Sequence, residues 1–403
     1  MTLTVIAEGD VGRYARLPFG VEEYRERERR LREEMDRRGI DVLFVMSPAN
    51  VAYLTGFEAV WYPPYSPRGL VVRRAEPGIV FHDYERHRNH ALNAAHWDEA
   101  FFYDNASALE TVFGVFEDRG WTKGTIGIEW QTVVPYAPVV RAVADGLAER
   151  GAEIVSGEWV VDHVRLIKSA AEIECVRRAA AIVDAAFGLV PELVRVGMSE
   201  IEVEARLALA MAEQGGERAA IRTMVSAGPL VWCQTHFVPT RRLLERGDLL
   251  YIDACGVFNS YHADVARTYA VGEDNPRARE MLDYTSRSVE LVVERVRAGD
   301  PLEVAQRTAE DYVFARFSPE EVWWVGGYAL GISFPPSWTG HTYMSNDAFE
   351  RFTWEPGYLS NYENILFDRD RHVTASYIES LLMTDSGLEI LSGIPRTLTV
   401  IGI

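Results

Sequence analysis

The stretch GDLLYIDACGVFNSYHADVARTYAVG, residues 247–272, decides the fold. Two apolar runs flank the turn-like VFNS, so the segment reads as a β-hairpin. Asp253 and Asp264 sit inside those runs with ten residues between them. A hairpin centred on Phe258-Asn259 sets the two carboxylates directly across from each other. Like charges so placed repel, and burial raises the cost. Such a pair needs a metal ion, a cationic substrate or a shared proton. The alternative is a shifted register that turns one aspartate to water.

Downstream, LSNYENILF (359–367) and ASYIESLLMTDSG (375–387) read as strands carrying Glu363 and Glu379 at otherwise apolar positions. A single edge-strand glutamate facing water would explain either one; four acids so placed are harder to assign to chance. Upstream, His236 stands in WCQTHFVPTRR (232–242), sharing a loop with Trp232 and Pro239. Its ordinary pKa suits proton transfer near neutrality, and a structural role is the alternative. His262 precedes Asp264 by two residues on the same strand face, and either orients that carboxylate or packs.

The whole chain has 403 residues, 48% hydrophobic and 25% charged, an ordinary globular balance. That length suggests two or three domains. Sixty acidic residues against 41 basic ones leave a formal charge of −19, which excludes nucleic acid and anionic membrane as partners. No apolar run approaches the roughly 18 residues needed to span a bilayer. The opening MTLTVIAEGD lacks the basic start and apolar run of a secretory signal. Cys175, Cys233 and Cys255 show no CxxC spacing and read as reduced thiols of a cytoplasmic protein. Ten Trp, 18 Tyr and 17 Phe supply the means to line a pocket for an organic cation.

Residues 21–39 are charged at nearly every step, with Tyr24, Leu31 and Met35 on one narrow face and Gly39 as the stop. The buried strand IDVLFVM (40–46) follows, with further strands near 69–72, 78–81 and 125–129. Near residue 165 the pattern changes to long helices. Ser169 with Glu172, and Ser199 with Glu202, have capping-box spacing, and another helix lies near 275–297. The fold class is therefore α+β: a small α/β domain over 1–162 and a second domain over 163–403, with the change between 160 and 165.

The order His236, Asp253, Asp264, Glu363, Glu379 resembles the creatinase/methionine-aminopeptidase ("pita-bread") superfamily. SPANVAYLTGF (47–57) looks like its amino-terminal domain and RLIKSAAEIECVRRAA (165–180) like the entry to its catalytic domain. WEPGY (354–358) and LLMTDSGLEILS (381–392) look like its closing strands. The resemblance implies a homodimer. Its metallopeptidases hold two metal ions with Asp, Asp, His, Glu and Glu, which transfers to Asp253, Asp264, position 328, Glu363 and Glu379. The ligand histidine belongs to a G-H-x-x-G stretch, but here GYALG (327–331) puts Tyr328 in its place, and a second histidine falls at Pro335. A neutral phenol is a poor ligand for first-row metals beside imidazole. The resemblance then leaves room for at most one divalent ion (Mn, Fe or Zn) on the carboxylates, or for none, with some acids protonated.

GYALGISFPPSW (327–338) looks more like ectoine hydrolase than like a peptidase. His341 follows, where a basic group meets a substrate carboxylate or sits in a surface loop. In EAVWYPPYSPRG (58–69), Trp61, Tyr62 and Tyr65 either box a cationic substrate, with Arg68 gripping its carboxylate, or bury against a dimer interface. The first expectation is a hydrolase of C–N bonds in a small nonpeptide solute (an amidine, guanidino or betaine-like compound), with His236 as acid/base and Glu363 and Glu379 on the substrate. The alternatives are a metal-dependent Xaa-Pro dipeptidase or aminopeptidase, a lyase of the dimethylsulfoniopropionate type, and a binding protein that has lost catalysis.

Overall fold

The computed structural model describes residues 6–7, 17–233, 236–340 and 352–402. His341 lies outside the described residues. The chain divides into two compact units, Met1–Arg165 and Leu166–Ile403.

The first unit is built on a seven-stranded sheet of order β1-β5-β4-β3-β2-β6-β7. Its strands are β1 (Ile6–Ala7), β2 (Val42–Val45), β3 (Gly69–Arg73), β4 (Ile79–Tyr84), β5 (Glu99–Tyr103), β6 (Thr125–Ile128) and β7 (Glu153–Ser156). The charged helix Val21–Arg38 ends where Gly39 takes a left-handed φ of 67°, the conformation that a residue without Cβ adopts at least cost. Tyr24, Leu31 and Met35 are buried along one side, as their spacing predicts. Phe44, Val71, Phe101, Phe116 and Ile126 belong to the core that the sheet shares with its helices.

In the second unit, Ser169 and Glu172 close both halves of a capping box ahead of the helix Ala170–Gly188. Ser199 accepts from the Glu202 amide ahead of Glu200–Glu213. The sheet has eight strands: β8 (Met224–Ala227), β9 (Leu249–Phe258), β10 (Tyr261–Val271), β11 (Val322–Gly326), β12 (Leu359–Asp368), β13 (Val373–Thr384), β14 (Gly387–Ile390) and β15 (Thr399–Ile401). The main order is β11-β12-β13-β10-β9-β8, with β14 on β13 and β15 on β10. Helices cover one face. Val183, Ala186 and Phe187 cluster with Ile252, Ala254 and Val265, while Ser288 of the helix Pro276–Arg295 bonds the Tyr362 and Tyr377 hydroxyls. The loop after β11 runs along strand edges, where the His262 amide reaches Gly331 O and the Asn361 amide reaches Tyr328 O, and its Tyr328 hydroxyl reaches Asp264 on the other face.

β9 and β10 form the expected hairpin, but its centre is one residue further on. Phe258 pairs with Tyr261, leaving Asn259-Ser260 as the two-residue turn, with φ of 49° and 62°. A turn with positive φ at both central residues matches strand twist, and asparagine tolerates that region better than an aromatic residue. The Glu217 carboxylate holds the turn by accepting from both its amides, at 3.0 and 2.8 Å. Asp264 therefore faces Cys255 across the ladder, and Asp253 faces Ala266. The two aspartates are diagonal neighbours on one face rather than directly opposed.

The β10–β13 seam is stitched largely by side chains. Its ladder consists of the single pair Ala266 and Ile378. On one side the Ser380 hydroxyl accepts from the Asp264 amide and donates to the Asp264 carbonyl. On the other, Thr268 does the same for Ser376. Arg267 Nη1 donates to the carbonyls of Ala266 and Ile378.

Candidate carboxylate site

Residues opposed in a ladder point to the same face. Asp253 opposes Ala266, Ala266 opposes Ile378, and Ile378 opposes Glu363. Strand alternation adds Asp264, two residues from Ala266. Three acids from three strands thus share the loop-side face, with 5%, 0% and 7% of Asp253, Asp264 and Glu363 exposed.

Neutral groups supply their hydrogen bonds. Tyr251 donates its hydroxyl to Asp253 Oδ2 at 3.3 Å, and Tyr328 donates to Asp264 Oδ2 at 3.3 Å. Asn361 Nδ2 serves two acids, Asp264 Oδ2 at 3.2 Å and Glu363 Oε1 at 2.8 Å. Its Oδ1 accepts from the Tyr328 amide at 2.8 Å, which fixes the amide's orientation. Trp338 Nε1 donates to the Tyr328 hydroxyl at 3.1 Å. Among the described residues, no hydrogen bond or ion pair joins an arginine or lysine to any of the three acids. Asp253 Oδ1 and Asp264 Oδ1 are buried and receive no donor from the described residues.

Burial with so little positive charge nearby favours protonation. It pushes Glu363 up to about 8, with Asp264 adding repulsion while Tyr328 and Asn361 oppose the rise. Burial raises Asp264 too, and the hydrogen bonds from Asn361 and Tyr328 oppose that rise. Burial and the charges of Asp264 and Glu363 hold Asp253 well above the carboxylate range. Asp253 and Asp264 titrate as one pair, whose burial and mutual repulsion keep a proton between them near neutrality, and burial keeps a proton on Glu363 as well. Burial keeps the Tyr328 phenol protonated as a donor.

Glu379 is not part of this group. It opposes Tyr362, one register position from Glu363, and a one-residue offset turns a side chain to the opposite face. There its Oε1 accepts from Arg267 at 2.7 Å and Arg396 at 3.3 Å, with the glutamate fully buried. Burial raises its carboxyl and the two guanidinium groups oppose that rise.

His236 is exposed, its ring edge-to-face with Trp323 at 5.4 Å, and among the described residues no hydrogen bond joins it to the acids. Its loop nevertheless runs on from a short turn, Val231–Cys233, whose Val231 shares an apolar cluster with Tyr251, Ala266 and Ile378. His262 does not touch Asp264. Nδ1 faces Ser260 O at 2.9 Å and Nε2 accepts from the Ala220 amide at 2.9 Å, so the ring is a neutral clip.

In the first unit, Trp61 and Tyr65 are exposed by 59% and 73%, and Tyr65 meets Tyr136 edge-on. Arg68 is buried, not presented to solvent: its guanidinium lies 3.8 Å from the Tyr62 ring centroid, with Met46 O and Val134 O at the edge of hydrogen-bonding range. That burial corrects the expectation that Arg68 grips a substrate carboxylate.

Tyr251 and Asn361 escaped the sequence reading, although each lies two residues from an acid, the spacing that puts neighbours on one strand face. Arg267 escaped it too, although a cation inside an apolar strand was a signal. Trp338 carried no signal beyond its aromatic surroundings.

The residues present do not fit the two-metal set that the resemblance implies. Tyr328 stands at the imidazole position and already donates to Asp264. Glu379 is taken by two arginines on the other face. Among the described residues, no three His, Cys, Asp or Glu side chains converge as a metal site.

Comparison with known proteins agrees with this architecture. Residues 174–382 match the model of metallopeptidase family M24, and residues 27–167 match the creatinase/prolidase N-terminal domain. The ectoine hydrolase of Halomonas elongata is 27% identical, over 95% of this chain and 98% of its own. The Xaa-Pro dipeptidase of Pyrococcus furiosus is 25% identical over 68% of this chain and 73% of its own. The solved Xaa-Pro dipeptidase from Bacillus anthracis superposes with a TM-score of 0.78 at 22% identity, over 94% of this chain and all of that one. The fold is therefore the pita-bread fold with a creatinase-type amino-terminal domain. Among the described residues no helix is long and apolar enough to cross a membrane.

Proposed function

The chain belongs to metallopeptidase family M24, and we propose that within it the chain is a hydrolase opening a C–N bond in a small cationic nonpeptide nitrogen compound. One observation carries this reading. Three buried acids share a face on which the described residues supply only neutral donors, which supports a bound molecule that brings the compensating positive charge. An amidine or guanidino group provides it, and the likeness to ectoine hydrolase points the same way.

In this reading Asp264 receives the cationic nitrogen group. Asp253 shares its proton with Asp264 and keeps the pair singly charged. Water adds to the electron-poor carbon of the C–N group and its proton passes to Asp264. Glu363, the acid that keeps its proton near neutrality, gives it to the departing nitrogen as the bond breaks. Two carboxyl groups with environments that separate their pKa values are suited to such paired roles. His236, at the exposed loop, exchanges protons between the site and solvent. Trp61 and Tyr65 offer an exposed aromatic surface for a second copy of the chain in a homodimer.

A second reading, an Xaa-Pro dipeptidase, is favoured by the names of several relatives and by the donorless Asp253 Oδ1 and Asp264 Oδ1. A turnover panel separates the two: ectoine, creatine, dimethylsulfoniopropionate and X-Pro dipeptides, each with and without added Mn²⁺. Hydrolysis of an amidine or guanidino solute irrespective of Mn²⁺ is the expected result. Turnover confined to X-Pro dipeptides with Mn²⁺ overturns it, and His236→Ala should slow but not abolish the reaction.

A further inference from the structure

The half-buried Tyr328 donates its hydroxyl to Asp264 Oδ2 at 3.3 Å, and Asn361 bridges that same oxygen to Glu363. A phenol has one proton to donate and lone pairs to accept with, whereas an indole nitrogen only donates. Trp338 Nε1, 3.1 Å away, must therefore be the donor in its contact with the phenol. The indole is 2% exposed, so water does not compete for that contact. Trp338 is also anchored at its backbone, where its carbonyl accepts from the Ser333 hydroxyl.

We infer that Trp338 is a positioning residue: its indole N–H occupies one lone pair of the Tyr328 oxygen and so commits the phenolic proton to Asp264. This rests on the reading of the acids as a cation-binding hydrolytic site. With the indole N–H present, the phenol meets the acids as a donor in a fixed direction. With it gone, the hydroxyl turns among Asp264, Glu363 and Asn361. Asp264 then loses a donor of fixed direction. Among the described residues Trp338 makes no hydrogen bond to the acids themselves, so its hydrogen-bonding influence passes through the Tyr328 oxygen.

The variants are Trp338→Phe, Tyr328→Phe and the pair together. Indole ¹⁵N-labelled protein gives a readout that needs no substrate. The Trp338 cross-peak, assigned by its loss in Trp338→Phe, should move upfield in Tyr328→Phe, as a hydrogen-bonded N–H does when its acceptor is removed. An unmoved peak overturns the inference, whatever the enzyme hydrolyses. On a solute that the wild type turns over, Trp338→Phe should lower kcat about tenfold with KM changed less than twofold, and the double variant should be no slower than Tyr328→Phe alone. Multiplying losses would show that Trp338 acts by another route and would also overturn it. If the peak moves but no solute on the panel is turned over, the hydrogen-bond chain stands and the hydrolase reading fails. Circular dichroism matching the wild type confirms that Trp338→Phe is folded, and Trp338→Leu supplies a second test of the same N–H.

Discussion

Glu363 and Glu379 lie one register position apart on adjacent strands, and that single step sends them to different electrostatic worlds. Glu363 joins Asp253 and Asp264 among phenols and an amide. Glu379, on the helix-covered face, is held by Arg267 and Arg396. The helix-side acid has its countercharge built in, so its contribution is structural. Among the described residues the loop-side acids have no such partner, and that deficit is what supports the proposed binding site. Arg267 also bonds two backbone carbonyls across the β10–β13 seam, so removing it undoes an ion pair and a strand junction together.

The largest expected effect breaks the compensated side. Arg267→Met leaves Glu379 buried beside Arg396 alone and should cost about 3–5 kcal/mol, the scale for stripping one partner from a buried pair. Adding Glu379→Met should recover much of that loss. Chemical denaturation of the single and double variants measures both, and a loss below about 1 kcal/mol in the single variant would remove the contrast between the faces.

The uncompensated side should respond in activity rather than stability. Glu363→Gln keeps the bond from Asn361 but has no proton to give, and turnover should fall roughly 10²-fold, the lower range for a general acid. Melting temperature should hold or rise, because a carboxyl held against its pKa is gone. The same variant reports on pH. Glu363 binds its proton more tightly folded, at about 8, than its ordinary value of 4.5. Its stabilising contribution is full below 4.5 and is lost as pH rises through 8. Wild-type stability should lose that component between pH 4.5 and 8, and Glu363→Gln should not.

A smaller change tests the position between the faces and the metal chemistry of relatives. Tyr328→His restores an imidazole beside Asp264, and should raise affinity for Mn²⁺ or Zn²⁺ by about tenfold, imidazole being the better ligand. Titration calorimetry on wild type and variant measures it. An unchanged affinity would mean that residue 328 does not face the acids as described.

Much of this was legible beforehand because strands write their faces in alternating residues. The hairpin, the capping box at Ser169 and the four acids in apolar strands all rest on local spacing. The register did not, because it depends on which two residues accept positive φ, and on Glu217, 42 residues before Asn259 in sequence, reaching the turn amides. The face of Glu379 depended on the offset between β12 and β13, which no local pattern records. Compensation by Arg396 was equally invisible, since that arginine reaches the strand from the segment after β14. The burial of Arg68 beneath Tyr62 likewise comes from packing, not spacing.

The smallest expected effect involves His262, on the same face as Asp264 but bonded to backbone alone. Its Nε2 accepts from the Ala220 amide, so Nδ1 carries the proton and donates to Ser260 O. Burial lowers its pKa from 6.5 to about 4. A base harder to protonate when folded contributes stability that is full above 6.5 and is lost as pH falls toward 4. The slope cannot exceed about 1.4 kcal/mol per pH unit for one proton. Glu363 works in the opposite sense over its own window, so between pH 6.5 and 8 it acts alone of the two, and below 6.5 His262 opposes it. Denaturation curves at pH 5.5 and 7.5 for wild type, Glu363→Gln and His262→Gln separate the two components. His262→Gln should gain stability relative to wild type on moving to pH 5.5, and Glu363→Gln should lose it. If both variants moved in the same direction, the neutral clip and the protonated acid would not be the distinct devices that their hydrogen bonds describe.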